Sequence, residues 1–365
     1  MNSGLDGRIR VTATREGRRI IGVQIHSSRP QVAQRLMRNN TPAKAVELAG
    51  LMFGLCSKAQ SAAAQAACEA ALEAEPDDVM RRAHEQAVLV ELALEHAWRL
   101  FLDWPTVEGR HGPDMETLLA LRKHTVTAPL FAETLQRALI ERVLGEPPHV
   151  WLARGYAGFA DWMAAGETGL ARLFAELPAG TDPGSSEVAL LPALRQMDTD
   201  FLGEVARTAL SDPDFCMRPD IKGQAAETGA LSRVRHHPLV AQWIVNRGRG
   251  VGARMLARLV ELAQMPIVLQ DEIQPRIHSL GADKNVGVAA VETSRGILIH
   301  VVRLVDGKVA DYRIVAPTEW NFHPAGTLVH SLKGLIAGEF IDRHARLVCL
   351  SLDPCVAYAV EINNA

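Results

Sequence analysis

Apolar and polar residues alternate over residues 8–14 around Ile9 and Val11, and the alternation resumes at Ile21, Val23 and Ile25 after Arg15-Glu16-Gly17. A period of two interrupted by a glycine turn predicts a β-hairpin that ends near Ser28. The period then lengthens. Thr41-Pro42 reads as an N-cap followed by proline at the first helical position, opening a helix through Leu51 that stops at Gly54. The alanine-rich run from Ser57 to about Glu75 predicts a second helix, closed before Pro76. Residues 79–103 carry Leu89, Leu92, Trp98 and Leu102 at helical spacing, and Trp104-Pro105 is expected to end that helix. Further helices are expected over 114–124, 130–144 and 159–177, separated by glycine and proline clusters.

Residues 237–265 predict two helices broken at Gly248-Arg249-Gly250. The period returns to two over 286–291 and 297–305, and Asp306-Gly307 is a hairpin turn into 309–315. A hairpin at the start, a helical middle and a hairpin late in the chain predict an α+β protein whose termini meet on one side of a helical bundle. The reading is one domain over 1–365. A possible internal linker lies near 180–187, a stretch that reads equally as a surface loop.

Composition narrows the function classes. A chain of 365 residues can bury a large core without disulfides. A net charge of -3 leaves no electrostatic footprint for nucleic acid or anionic lipid. No apolar run is long enough for a membrane span and the start lacks a signal-peptide core, so a cytoplasmic protein is expected. The five cysteines are scattered and never form a Cys-x-x-Cys pair, which argues against a disulfide framework or a structural zinc site.

Two of them stand in suggestive places. Cys56 precedes a predicted helix, where unpaired N–H groups would favour a thiolate, and Cys355 follows the turn-like pair Asp353-Pro354. Read alone, each is ordinarily a packed side chain.

Read in order with their neighbours, they resemble something more specific. Nickel-iron hydrogenase large subunits carry Arg-x-Cys-Gly-x-Cys-x-x-x-His near the amino terminus and Asp-Pro-Cys-x-x-Cys-x-x-His near the carboxy terminus. This chain has Leu51-Met52-Phe53-Gly54-Leu55-Cys56 with Gln60 at the histidine position, and Asp353-Pro354-Cys355 with Tyr358 and Glu361 in place of the other cysteine and the histidine. Val291-Glu292-Thr293-Ser294-Arg295-Gly296 resembles the family's Ala-Pro-Arg-Gly segment, and Ile314-Val315-Ala316-Pro317-Thr318-Glu319-Trp320-Asn321 its Val-Val-Pro-Thr-Thr-Trp-Asn segment. Glu227-Thr228-Gly229-Ala230-Leu231-Ser232-Arg233 is similar to Glu-x-Gly-Pro-Leu-Ala-Arg, and Asp6-Gly7-Arg8 stands where the family has Glu-Gly-His.

The resemblance implies a large-subunit-like fold with the termini meeting at a metal site. It also implies what has been lost, since Phe53 cannot ligate and a tyrosine phenol is a poor substitute for thiolate at nickel. No nickel is expected, and no catalysis. Cys56 and Cys355 could hold the iron half of the centre, with its cyanide and carbon monoxide ligands, while Arg295, Pro317 and Thr318 shape the ligand pocket. Cys56 matches a bridging cysteine and Cys355 a nickel-only one, so one iron between them requires local rearrangement.

The pattern is similar to hydrogenase expression/formation accessory proteins of the HupK type. The implied function is a maturation scaffold that carries the iron fragment transiently to the large-subunit precursor, with maturation chaperones as partners. A metal-free docking module for those chaperones is the alternative, and a catalytic subunit ranks last. Only Ile362, Asn363, Asn364 and Ala365 follow Glu361, so no tail removable after nickel insertion is expected. The roles of Asp6, Glu227 and Glu361 stay open at this stage.

Overall fold

The first alternation folds as β1 (Arg8–Glu16) and β2 (Arg19–Ser27), antiparallel, with Ile9, Val11 and Ala13 buried on one face of β1. The computed structural model describes residues 7–28, 32–108, 112–177, 182–270, 275–333, 335 and 341–365. Asp6 lies outside them, as do residues 180 and 181 of the suspected linker.

Helix α1 (Ala33–Met37) leads to α2 (Pro42–Met52), where the Thr41 hydroxyl accepts the Lys44 N–H at 3.3 Å as the sequence predicts for an N-cap. A 3-10 turn, Gly54–Cys56, joins α2 to α3 (Ser57–Ala71). Next comes α4 (Asp78–Trp98), capped by Asp77. The expected stop at Pro105 does not occur. The helix widens into a π turn over Arg99–Asp103 and continues as α5 (Trp104–Glu108). Pro105 has no N–H to give the Phe101 carbonyl, and the Asp114 N–H takes that acceptor at 2.9 Å.

The bundle continues with α6 (Met115–Lys123), α7 (Ala128–Ala138) with its own π turn Leu139–Leu144, and α8 (Pro148–Leu152). The single helix expected over 159–177 is two, α9 (Gly155–Ala165) and α10 (Gly169–Glu176). Gly166 ends the first at φ +59, and the Thr168 hydroxyl caps the second by accepting the Ala171 N–H. Trp151, Phe159, Trp162, Phe174 and Trp243 pack there mainly edge to face. In the suspected linker Asp182 is buried, accepting from Trp243 Nε1 and from the N–H groups of Gly250, Gly252 and Ala253.

Between β3 (Ala189–Leu190) and β4 (Ala226–Glu227), a parallel pair, lies α11 (Thr199–Ser211), for which the sequence reading had no element. Helix α12 (Ala230–Val234) precedes the expected broken pair, α13 (Pro238–Arg247) and α14 (Val251–Val268). Helix α14 is the axis of the bundle, buried over most of its length, and it carries Arg254, Arg258 and Glu261 inward.

The late strands form one antiparallel sheet in the order β5 (Ile277–Asp283), β6 (Val286–Thr293), β7 (Gly296–Val305), β8 (Lys308–Val315), of which β5 was not anticipated. One face packs on Leu202, Val205 and Ala206 of α11, the other on the alanines of α3. Small side chains let α3 approach closely: a Cβ built on Gly287 would sit 2.0 Å from the Ala67 carbonyl oxygen. Helices α15 (Pro317–Asn321), α16 (Thr327–Lys333) and α17 (Ile341–Ser351) follow. The chain closes with β9 (Ala357–Asn364), parallel to β1 with Arg8 opposite Ala357 and Arg15 opposite Asn364. The two ends of the described chain therefore meet, as expected. Residues 362–364 are ordered strand.

Candidate metal centre

Cys56 is the last residue of the 3-10 turn, half-buried, and α3 begins directly after it. Glu91 reaches across from α4 so that its carboxylate accepts the Lys58 and Ala59 N–H groups at 2.8 and 3.0 Å. The sequence-based expectation that the helix start favours a Cys56 thiolate is therefore corrected. Those donors already serve an acid, and burial pushes the Cys56 thiol up to about 12 although the nearby Arg295 charge pulls it down. A metal bound there has to displace a proton.

Cys355 comes from the opposite end of the chain. The Thr318 hydroxyl, buried in the first turn of α15 behind Pro317, donates to its sulfur at 3.2 Å. The loop before it is tied down by Asp353, a buried residue at φ +56. Its carboxylate faces three guanidinium groups, with Arg99 Nε at 2.6 Å, Arg295 Nε at 3.4 Å and Arg258 Nη2 at 3.7 Å. Despite the cost of burial, those charges hold the Asp353 carboxyl well below the usual carboxylate range. Arg99 Nη2 also donates to the Pro354 carbonyl at 3.3 Å, fixing the residue just before Cys355.

Arg295 is the hub. It is 4% exposed, and its Nη2 donates to Glu95 at 2.6 Å while Nε lies beside Asp353. Its charge is felt by Cys56, which also feels Cys355, and both sulfurs in turn support the charge on Arg295. A guanidinium has five N–H donors, and Nη1 has no protein partner among the described residues. Asn321 locks the surroundings: its Oδ1 accepts the Thr228 N–H at 2.9 Å and its Nδ2 donates to the carbonyls of Arg295 and Leu352. Glu227, whose role the sequence left open, pairs with Arg254 at 2.8 Å and 3.1 Å, behind the site.

The structure thus brings Cys56, Arg295, Thr318 and Cys355 together, with Pro317 behind Thr318. It does not complete a four-ligand set. Phe53 closes α2, and Tyr358 sits in β9 with its hydroxyl directed to the Arg346 carbonyl at 3.5 Å. Glu361 is exposed in the same strand opposite Thr12. Among the described residues no group of three or more His, Cys, Asp or Glu could hold a metal ion. Two thiolates would leave most of the coordination sphere to ligands the metal brings with it.

A cleft of about 560 Å³ leads to this point, lined by Leu55 and Lys58 on one wall, Glu91, Glu95 and Arg99 on the other, with Arg295 at the site. Glu91, Glu95, Arg99 and Asn321 are absent from the sequence-derived site. Three of them had a signal: from residue 87 to 102 the chain is apolar apart from His96 and from acids and a base recurring every four residues, which marks one polar stripe.

The family model described as nickel-dependent hydrogenase matches residues 215–361, a stretch that holds Arg295, Thr318 and Cys355 but not Cys56. Over nearly the whole length the chain is similar to the hydrogenase expression/formation protein HoxV of Cupriavidus necator, 31% identical over 360 residues and covering 92% of each chain. The hydrogenase expression/formation protein HupK of Rhizobium leguminosarum bv. viciae is 28% identical, covering 94% of this chain and 93% of that one. Among solved structures, the reduced, active Ni-Fe-Se hydrogenase of Desulfomicrobium baculatum superimposes with a TM-score of 0.59 at 14% identity, covering 94% and 95% of the two chains. At that identity the match establishes a shared hydrogenase large-subunit fold, as the resemblance implied.

Proposed function

This chain belongs to the hydrogenase expression/formation proteins of the HoxV and HupK kind, and from that premise we propose that it is a non-catalytic scaffold for an iron fragment during hydrogenase maturation. The cargo is iron carrying cyanide and carbon monoxide, held by the Cys56 and Cys355 thiolates and passed on to the large-subunit precursor. Maturation chaperones and that precursor are the proposed partners, in the cytoplasm. No described helix is long and apolar enough to cross a membrane.

The observation that carries this reading is the convergence of Cys56, Arg295 and Cys355 on one point, with a buried hydroxyl on the second sulfur at 3.2 Å. A cyanide nitrogen is an anionic acceptor, and the Nη1 donors of Arg295 are its complement. Thr318 has a single hydroxyl proton, so it serves either the Cys355 sulfur or a cyanide. With Phe53 and Tyr358 in place of thiolates, the soft ligand set for nickel is incomplete, and two anchoring thiolates suit a carrier that must release its load.

The test is anaerobic purification from a host that makes the iron-ligand machinery, followed by infrared spectroscopy and metal analysis. Cyanide and carbon monoxide bands with stoichiometric iron are expected, lost in Cys56→Ala and in Cys355→Ala. A wild-type protein without those bands refutes the carrier reading and leaves the docking module. Stoichiometric nickel with hydrogen oxidation would revive the catalytic one.

A further inference from the structure

Gln60 stands one helical turn after Cys56 in α3 and is 3% exposed. Its Nε2 donates to Cys56 Sγ at 3.6 Å, and its Oε1 lies 2.9 Å from His300 Nε2. On the far side of the ring, His300 Nδ1 is 2.7 Å from the Tyr312 hydroxyl. His300 and Tyr312 are diagonal neighbours on one face of β7 and β8, since Val302 is the direct partner of Tyr312. Both are fully enclosed, at 0% and 1% exposed.

Three hydrogen bonds in series run in one direction when the sulfur is a thiolate, which can only accept. If the Gln60 amide gives its N–H to sulfur, its oxygen needs a donor, so His300 carries its proton on Nε2. The ring then offers Nδ1 as an acceptor, and the Tyr312 hydroxyl donates to it. Turning the amide over reverses every bond, with a Cys56 S–H donating to the amide oxygen and His300 protonated on Nδ1, an arrangement open to the thiol but closed to the thiolate. The ring is neutral at ordinary pH because burial lowers His300 to about 3, which keeps Nδ1 free to accept.

We propose that Gln60 is a positioning residue for Cys56, its amide N–H held against the sulfur by the buried His300–Tyr312 pair. Gln60 is not a ligand. It fixes the side chain of Cys56 and stabilises negative charge on the sulfur, while an N–H on a bound thiolate withdraws electron density from the metal and eases release. This deepens the carrier reading and rests on it for the identity of the cargo.

Two readouts keep the two ideas apart. In the cargo-free full-length protein at a single pH, Gln60→Leu is expected to slow alkylation of Cys56 by iodoacetamide about tenfold, as expected for loss of one hydrogen bond to a charged group. Peptide mass mapping reads that rate, and Cys355 in the same sample, expected to react as before, reports an intact fold. Gln60→His, which restores an N–H, recovers much of the rate, and Tyr312→Phe, which loosens only the far end, slows it less. In cargo-loaded protein, Gln60→Leu moves the carbon monoxide and cyanide bands to lower wavenumber, because the sulfur then donates more to iron. A Cys56 rate unchanged in Gln60→Leu with Cys355 also unchanged overturns the proposal, whether or not wild type carries iron. Slowed alkylation without infrared bands in wild type upholds the positioning role and refutes the iron cargo.

Discussion

Asp353 joins electrostatics to backbone shape in a single residue. Its positive φ turns the chain toward Cys355, and its carboxylate neutralises buried Arg258 and Arg295 and partly buried Arg99. Asparagine tolerates the same backbone, so Asp353→Asn isolates the charge. It should cost about 3 kcal/mol, the scale for breaking a buried ion pair, read as a lower urea midpoint. The pH dependence has a definite sign: the Asp353 carboxyl is held below its ordinary value in the folded state, as is Glu261 between Arg233 and His96. Their stabilisation is complete above the ordinary carboxylate range and is lost as pH falls through it towards the depressed folded values. Asp353→Asn is therefore expected to flatten the acid limb of the stability curve, measured by thermal melting below about pH 4. The sequence showed the Asp-Pro-Cys run but not the arginines, because Arg99 and Arg258 lie far away in the chain and only packing makes them neighbours.

At the scale of elements, the contact of α3 with β6 sets where Cys56 sits. An alanine-rich helix was legible from composition, and the structure shows its use: the helix backbone lies almost on the strand at Gly287. Gly287→Ala would place a methyl 2.0 Å from the Ala67 carbonyl oxygen and 2.4 Å from the Ala71 nitrogen, both backbone atoms with little freedom to yield. The expected outcome is a loss of at least about 2 kcal/mol in urea unfolding, with weakened cargo retention as α3 shifts. Retention and stability equal to wild type would show that this contact does not seat the helix. Helix ends written in local chemistry, such as Thr41-Pro42 and Gly248, were legible. The continuation past Pro105 was not, because it depends on an outside donor, the Asp114 N–H, satisfying Phe101.

For the molecule as a whole, β9 against β1 closes the fold and brings the second cysteine to the first. Residues 357–364 give β1 its second partner, reinforced by Arg15 Nε donating to Asn364 at 2.8 Å. Truncation after Val356 is expected to expose the β1 amides on that edge and to loosen Cys355. Hydrogen exchange should show lost protection over residues 8–15 together with loss of iron retention. Unchanged protection there would mean the terminal strand is not what anchors the site.

By itself the sequence determined the α+β class, the starts of α2, α3, α4, α6, α13 and α14 and the late hairpin, and through the order of its half-motifs it pointed to Cys56, Arg295, Pro317, Thr318 and Cys355. These are local signals: period, cap chemistry and short runs of specific side chains. Only the tertiary structure decided that α11, β5 and β9 exist as they do, that Glu91 cancels the helix-end effect on Cys56, and that Gln60, His300 and Tyr312 form a hydrogen-bonded chain behind the sulfur. Those features depend on groups far apart in the chain meeting where water is excluded, and on the proton count that such meetings impose.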